Sequence, residues 1–167
     1  MQSLQIPDVK DFMAKLLAAE HFDAFLLSEA SITTFTTFYI DGSFHADYFG
    51  NLEAESEHPS AAFPCWKMLR PFFFDLVKGK NTPLNFKIIF RLADYNVEKL
   101  LSQSGIALHV QDISGLFLNV HYNGKEVFCT TGTSLRIFTL DKSLDHAWDS
   151  MVQKFFRQKQ IPFLSVP

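Results

Sequence analysis

Cysteine is scarce in this 167-residue sequence, which has only Cys65 and Cys129. Two cysteines cannot form a disulfide framework, and these two do not make the C-x-x-C pair typical of redox and zinc-binding sites. N-x-S/T glycosylation acceptors are missing as well. These absences exclude the class of small, disulfide-rich secreted proteins and favour a reducing, cytoplasmic setting.

Long apolar runs are also absent. Stretches such as residues 72–74 and 88–90 are far shorter than the roughly 20 residues of a membrane-spanning helix. The opening MQSLQIPDVK has neither the basic start nor the apolar centre of a secretion signal. We therefore expect a cytoplasmic protein that does not enter a membrane.

The chain has enough hydrophobic residues, 47%, to bury a sizeable core, and its length fits one domain over residues 1–167. Phenylalanine is heavily used, with 19 residues against 4 tyrosines and 2 tryptophans. Rings that the core does not need can line an oligomer interface or a ligand groove.

Positive charge is missing from a long stretch near the start. Between Lys15 and Lys67 there is no lysine or arginine, yet this stretch holds eight acidic residues. Residues 67–91 reverse the balance, with six basic residues against Asp75 alone. Either the basic segment is a partner surface or the acidic segment folds over it and neutralises it, and both interpretations stay open because charge along the chain does not fix its arrangement in space.

Catalytic signatures are absent too. The sequence contains no G-x-S-x-G and no S-x-x-K motif, and its six histidines are scattered without metal-ligand spacing. The stretch TTGTS at residues 130–134 lacks the lysine and the following helix of a phosphate-binding loop, so we predict a hairpin turn at Gly132. We expect no cofactor and no metal, and an enzyme is the less favoured class, although active sites do assemble from distant residues.

Apolar residues at helical spacing predict three helices, and a candidate cap at Asp94 with a glycine stop at Gly105 predicts a short fourth one. We predict helices over residues 7–19, 95–103 and 142–158, the first and last of them amphipathic. A further helix between Phe63 and Gly79 is either kinked or divided at Pro71, because proline lacks a backbone donor.

Alternation of apolar and polar residues predicts strands, most clearly in LNFKIIFRL at residues 84–92. Asp41-Gly42 and Asn123-Gly124 are both typical of two-residue hairpin turns. A turn of that length at Asn123 would place Val120 opposite Val127 and His121 opposite Glu126.

The predicted order, α-β-β-β-α-β-α-β-β-β-α, does not repeat the strict alternation of a doubly wound fold. It indicates an α+β domain in which helices pack on an antiparallel or mixed sheet, with amphipathic helices near both ends. Residues 50–62 are acidic, small and polar, and we predict a surface loop there.

The basic segment is the main candidate for a binding site. Positive side chains interleaved with aromatic rings can follow a single-stranded nucleic acid or bind a phosphorylated ligand. The alternative is a strand face that carries lysine and arginine for solubility or edge protection, and the isoelectric point near 6.0 and the absence of a recognition motif favour that alternative. The candidate ligand-binding residues are Trp66, Arg70, Lys78, Lys80, Lys87 and Arg91.

Four stretches carry a resemblance that covers nearly the whole chain: IPDVKDFMAKLL, SEASITTF, WKMLRPFFFDLVKGKNTPLNFKIIFRL and GLFLNVHYNGKEVFCTTGTSLRIFTLDKSLDHAWDSMVQKFF. They resemble a family of small, uncharacterised Firmicutes proteins, a domain of unknown function found in clostridia and their relatives. The resemblance implies a cytoplasmic bacterial protein and assigns no activity and no catalytic residues.

Together these observations favour a non-catalytic, cytosolic interaction or regulatory module. One form of it is a homodimer built on the surplus phenylalanines and on the apolar tail, residues 161–167. The first alternative is nucleic-acid or phosphate-ligand binding through residues 67–91, and the second is an enzyme whose site is dispersed along the sequence.

Overall fold

A computed structural model describes residues 1–50 and 62–167. Its strands are β1 (Ser3–Ile6), β2 (Leu26–Thr33), β3 (Thr37–Asp41), β4 (Asn85–Arg91), β5 (Ile113–Tyr122), β6 (Val127–Leu135) and β7 (Leu164–Val166). Its helices are α1 (Val9–Met13, continued by a π-helical turn at Ala14–Ala18), α2 (Trp66–Val77), α3 (Asp94–Ser104) and α4 (Ser143–Gln158), with short 3₁₀ turns at Ala46–Tyr48 and Val110–Asp112. The predicted acidic loop falls almost entirely on residues 51–61, outside the described residues.

All seven described strands form one sheet in the order β3-β2-β4-β5-β6-β1-β7, and every neighbouring pair is antiparallel. The α+β prediction is confirmed, with the antiparallel form of the sheet. Two strands were not predicted, β1 and β7, which pair with each other beside β6. The apolar tail therefore docks on its own chain, where Ile161 is buried and Leu164–Val166 extend the sheet.

One face of the sheet supplies the core, because alternate residues of each strand point to the same side. On β4 these residues are Phe86, Ile88 and Phe90, all of them buried. The helices cover this face with aromatic side chains, and the ring of Phe22, which follows α1, stacks on that of Phe90 at 5.6 Å between centroids. Many of the phenylalanines thus belong to the core, as the composition suggested.

The predicted helices all form. Pro71 lies inside α2, which runs unbroken from Trp66 to Val77. Gly105 ends α3 in the left-handed conformation at φ 65°, where glycine has no side chain to clash. In α1 the π-helical turn leaves backbone carbonyls available, and that of Leu16 accepts the buried indole N–H of Trp66 at 3.0 Å.

The predicted turn at Asp41-Gly42 is wrong. The β2–β3 hairpin turns earlier, at Thr34–Thr36, and pairs Thr33 with Thr37. Gly42 is needed for another reason: a Cβ there would lie 2.2 Å from the carbonyl oxygen of Leu27. The glycine therefore marks a close approach of two backbones.

The second hairpin has the predicted place and a different register. Its loop contains four residues, because the side-chain oxygen of Asn123 accepts the amides of both Lys125 and Glu126. As a result His121 lies opposite Phe128, and the predicted pairing with Glu126 is wrong. A shift of two residues keeps every side chain on its predicted face.

The predicted turn at Gly132 is also wrong. Residues 130–134 lie in the middle of β6, which continues to Leu135 and pairs with β5 along its length. The threonines suit a strand, and Gly132 lies directly opposite Phe117. TTGTS is therefore neither a turn nor a phosphate cradle.

Candidate functional site

The face of the sheet opposite the helices carries an unusual set of side chains on its three central strands. Its members are nitrogen-bearing, aromatic or uncharged: Lys87, Ile89 and Arg91 on β4, Phe117, Asn119 and His121 on β5, and Phe128 and Thr130 on β6. We call these eight residues the basic–aromatic patch. It contains no acidic side chain, although the protein as a whole has a net charge of −3.

Strand register arranges the patch in rows across the sheet. Lys87 lies opposite His121, which in turn lies opposite Phe128. Adjacent strands are separated by about 4.8 Å, so these three side chains form one short row. Lys87 and His121 are exposed and Phe128 is half-buried, so a ligand can reach all three.

Two rows along, beyond Ile89 and Asn119, Arg91 on β4 lies opposite Phe117 on β5. The guanidinium carbon of Arg91 lies 4.1 Å from the centre of the Phe63 ring and 5.6 Å from that of Phe117, so the cation is stacked between two rings. One of its N–H groups donates to the carbonyl of Ser114 at 2.9 Å. Among the described residues, no carboxylate forms a salt bridge with it.

Burial is the main influence on Arg91 and lowers the pKa of its guanidinium, an effect that Asp94 opposes and Arg136 reinforces. Arginine nevertheless stays protonated in proteins. A charge that is partly desolvated and lacks a carboxylate partner interacts more strongly with an incoming anion than a fully hydrated one.

The backbone beneath Phe117 is fixed from the other side of the sheet. The indole N–H of Trp148, on α4, donates to the carbonyl of Phe117 at 2.9 Å. The Phe117 ring lies over Gly115, where a Cβ would come within 2.5 Å of the ring. The packing of α4 therefore helps to fix the strand that carries the Phe117 ring.

The structure separates the six residues that the sequence proposed for ligand binding. Only Lys87 and Arg91 lie on the face of the sheet opposite the helices, which we call the open face. Trp66 is completely buried in the core, and Arg70 bonds both carboxylate oxygens of Asp23 from α2.

The remaining two candidates follow α2. Lys78 pairs with Asp75 at 3.0 Å in an exposed position, and Lys80 is exposed on the connection to β4. Neither belongs to the basic–aromatic patch. Whether any of the six binds a ligand stays a prediction.

Six of the eight patch residues were not among the candidates proposed from the sequence: Ile89, Phe117, Asn119, His121, Phe128 and Thr130. The signal was present, since the alternation in GLFLNVHY already assigned Asn119 and His121 to the face opposite Leu118 and Val120. The neighbourhood of β4 and β5, which places these residues beside Lys87 and Arg91, comes only from the sheet order.

A second polar cluster lies on the helical side. Thr131 donates to Asp149 and accepts the amide of Gln2, while Thr133 donates to Asp145. These bonds join β6 to α4 and to Gln2, the residue before β1, which makes the cluster a structural contact. In the part of the chain that the structure describes, no group of three or more His, Cys, Asp or Glu side chains could hold a metal ion.

None of the described helices is both long and apolar enough to span a bilayer. Neither a curated protein nor a solved structure matches the chain. A family model does: it is described as a family of unknown function, DUF5721, and it matches residues 15–164. The resemblance to a domain of unknown function is confirmed, and the chain belongs to the DUF5721 family.

Proposed function

We propose that this protein is a non-catalytic binding module and that its basic–aromatic patch binds a single-stranded nucleic acid. The observation that carries the proposal is the composition of the open face on β4, β5 and β6: four nitrogen-bearing side chains, two phenylalanine rings and no carboxylate. Other proteins that bind single strands use cationic side chains along the phosphates and aromatic rings that stack on the bases.

The dimensions of the patch support this choice. Lys87 and Arg91 are four residues apart on one strand, which separates their backbones by roughly 13 Å. Phe117 and Phe128 lie on the two following strands, so a backbone that follows the cations can place its bases over the rings. A single phosphate would use one of these cations and leave the rings without a role.

The nearest acidic side chain on the neighbouring strand supports the proposal too. Glu29 lies opposite Ile89 on β2, and its carboxylate accepts the hydroxyl of Tyr39 at 2.7 Å. This bond holds the carboxylate toward β3, on the side away from β4.

The test is binding of labelled, mixed-sequence single-stranded RNA and DNA over a salt series, measured by fluorescence anisotropy. We expect binding to weaken linearly on logarithmic axes, because each phosphate contact releases counterions. Lys87→Gln should lower affinity and reduce the slope by about one contact. Lys154→Gln removes another exposed charge, on α4 on the other side of the sheet, and should change neither the affinity nor the slope.

No binding even at low salt would overturn the proposal. The broader interaction or regulatory module would then require a protein partner. We also propose that residues 1–167 form a single domain and that the protein belongs to a Firmicutes bacterium and lies in its cytoplasm. Fractionation of the source cells would check the cytoplasmic location.

A further inference from the structure

The two outer edges of the sheet are protected very differently. On one side β7 has only three residues and lies between Pro162 and Pro167, an arrangement that discourages further pairing. On the other side β3 has five residues, TFYID, with no proline, lysine or glycine. Its ladder with β2 is regular over all five pairs, from Thr33–Thr37 to Glu29–Asp41.

Hydrogen bonding in the hairpin shows which backbone groups of β3 face outward. The amide of Thr34 donates to the carbonyl of Thr36 at 2.9 Å, so the Thr33–Thr37 pair enclosed by this bond is of the non-hydrogen-bonded kind. Because the pattern alternates along a strand, Phe38 and Ile40 bond to β2. The amides and carbonyls of Thr37, Tyr39 and Asp41 point away from the sheet.

Among the residues that the structure describes, none pairs with those outward groups. The side chains of Thr37 and Tyr39 are exposed, and Phe38 and Ile40 are only partly buried against the edge of the core. A strand added here would satisfy the backbone groups and cover the two apolar side chains. The β3 edge therefore has the regular geometry that a further strand needs, and no described strand of the chain pairs with it.

The sequence of β3 is complementary to itself about its central residue. If two copies meet antiparallel at Tyr39, Thr37 of each lies opposite Asp41 of the other. All three residue pairs are then of the hydrogen-bonded kind, which gives six backbone bonds. No like charges meet, and a threonine hydroxyl faces each carboxylate.

We propose that two copies of this chain associate through β3, with Tyr39 on the two-fold axis, and join their sheets into one continuous sheet. We infer a second copy as the partner because the one register that pairs all three outward residues of both strands sets Asp41 opposite Thr37 and keeps the two Asp41 side chains apart. Such an interface is isologous, the commonest arrangement in homodimers. It differs from a dimer built on the tail, since the tail pairs with β1 of its own chain.

The experiment is sedimentation equilibrium of the full chain with two matched variants, Thr37→Asp and Thr37→Lys. Both lose the hydroxyl contact between Thr33 and Thr37, so this loss cancels in the comparison, and the two variants place opposite charges beside Asp41 of the second copy. The Thr37→Asp dimer would contain two like-charge pairs, and the Thr37→Lys dimer two opposite-charge pairs. The dissociation constant of the Thr37→Asp dimer should therefore be at least tenfold higher.

A third variant, Tyr39→Pro, removes an outward N–H and the side-chain bond from Tyr39 to Glu29 while leaving the backbone bonds to β2 in place, and it should be monomeric. The proposal is overturned if the wild-type chain is monomeric at all concentrations up to several hundred micromolar. It is equally overturned if the two Thr37 variants dimerise with the same affinity, because the interface would then lie elsewhere.

Discussion

Arg70 and Asp23 form a two-pronged ion pair across 47 positions of sequence. The Nε of Arg70 lies 2.8 Å from one carboxylate oxygen and its Nη2 lies 3.1 Å from the other. Both side chains are mostly buried, with 17% and 12% of their surface exposed. This bond raises the pKa of the Arg70 guanidinium and commits the side chain to joining α2 to the segment after α1.

Replacing Arg70 by alanine should therefore destabilise the fold by about 2–3 kcal/mol, because it leaves the Asp23 carboxylate mostly buried without its partner. Denaturant unfolding followed by circular dichroism measures this loss. The double variant Asp23→Ala/Arg70→Ala should be less destabilised than the sum of the single variants. If the destabilisation by the double variant equals the sum of the two single variants, the ion pair contributes nothing to stability. Lys67→Ala, at an exposed position on the same helix, is the control.

Thr131 provides a second test, in the contact between β6 and α4. Only 1% of this residue is exposed, and its hydroxyl donates to Asp149 and accepts the amide of Gln2. Valine has nearly the same shape, so Thr131→Val should cost about 1–3 kcal/mol through the two partners it leaves unsatisfied. The adjacent Thr130→Val, on the open face, should change the free energy of unfolding by less than about 0.5 kcal/mol. Equal effects at the two positions would contradict the structural role of Thr131.

The elements that sequence patterns predicted best are those with a strong period. Helix α4 begins and ends within one residue of its prediction, because its apolar residues recur at helical spacing over four turns. Strand β4 follows equally well from its alternation. Such local signals do not depend on what lies beside the element.

The failures share a different cause. Gly42 and Gly132 both carry turn signals, and each instead serves a contact with a distant segment, Gly42 with Leu27 and Gly132 with Phe117. Strand β1 is only four residues long, and its pairing with β6 joins Ser3 to Thr130. Contacts between residues so far apart leave no periodic signal in either segment.

The candidate site divides in the same way. Lys87 and Arg91 were predicted to share a strand face, which local alternation is enough to establish. Trp66 and Arg70 were grouped with them because they are near in sequence. Which face of the fold a helix occupies depends on packing, and α2 packs on the side opposite to the patch.

Stability should depend on pH through Asp145 in the first turn of α4. The hydroxyl of Thr133, first, and then the charge of Lys142 lower the pKa of this carboxyl group. A group whose pKa is lower in the folded state stabilises the fold above its unfolded pKa, about 3.9 for aspartate, and this contribution is lost as the pH falls through the folded value. Asp145→Asn should therefore lose less stability than the wild type between pH 5 and pH 2, measured by urea unfolding across that range. An unchanged pH dependence would show that Asp145 titrates normally.

Two glycines on either side of Phe117 give the sharpest test of the patch. A Cβ at Gly115 would come within 2.5 Å of the Phe117 ring, whereas a Cβ at Gly132 would meet nothing nearer than the Phe117 Cβ at 4.0 Å. Gly115→Ala should push the ring away from its position beside Arg91 and cost about 1–2 kcal/mol of stability. Gly132→Ala should be neutral or slightly stabilising, since alanine lowers the backbone entropy of the unfolded chain.

The two variants should also differ in their affinity for single-stranded nucleic acid. If single-stranded nucleic acid stacks on Phe117, Gly115→Ala weakens it several-fold in the anisotropy assay, and Gly132→Ala leaves it unchanged. Because each variant adds only one methyl group to the same face, a difference in affinity reports the position of the ring and not a change in charge. Equal affinity of the two would mean that the Phe117 ring takes no part in binding, and the proposed role of the aromatic side chains would then rest on Phe128 alone.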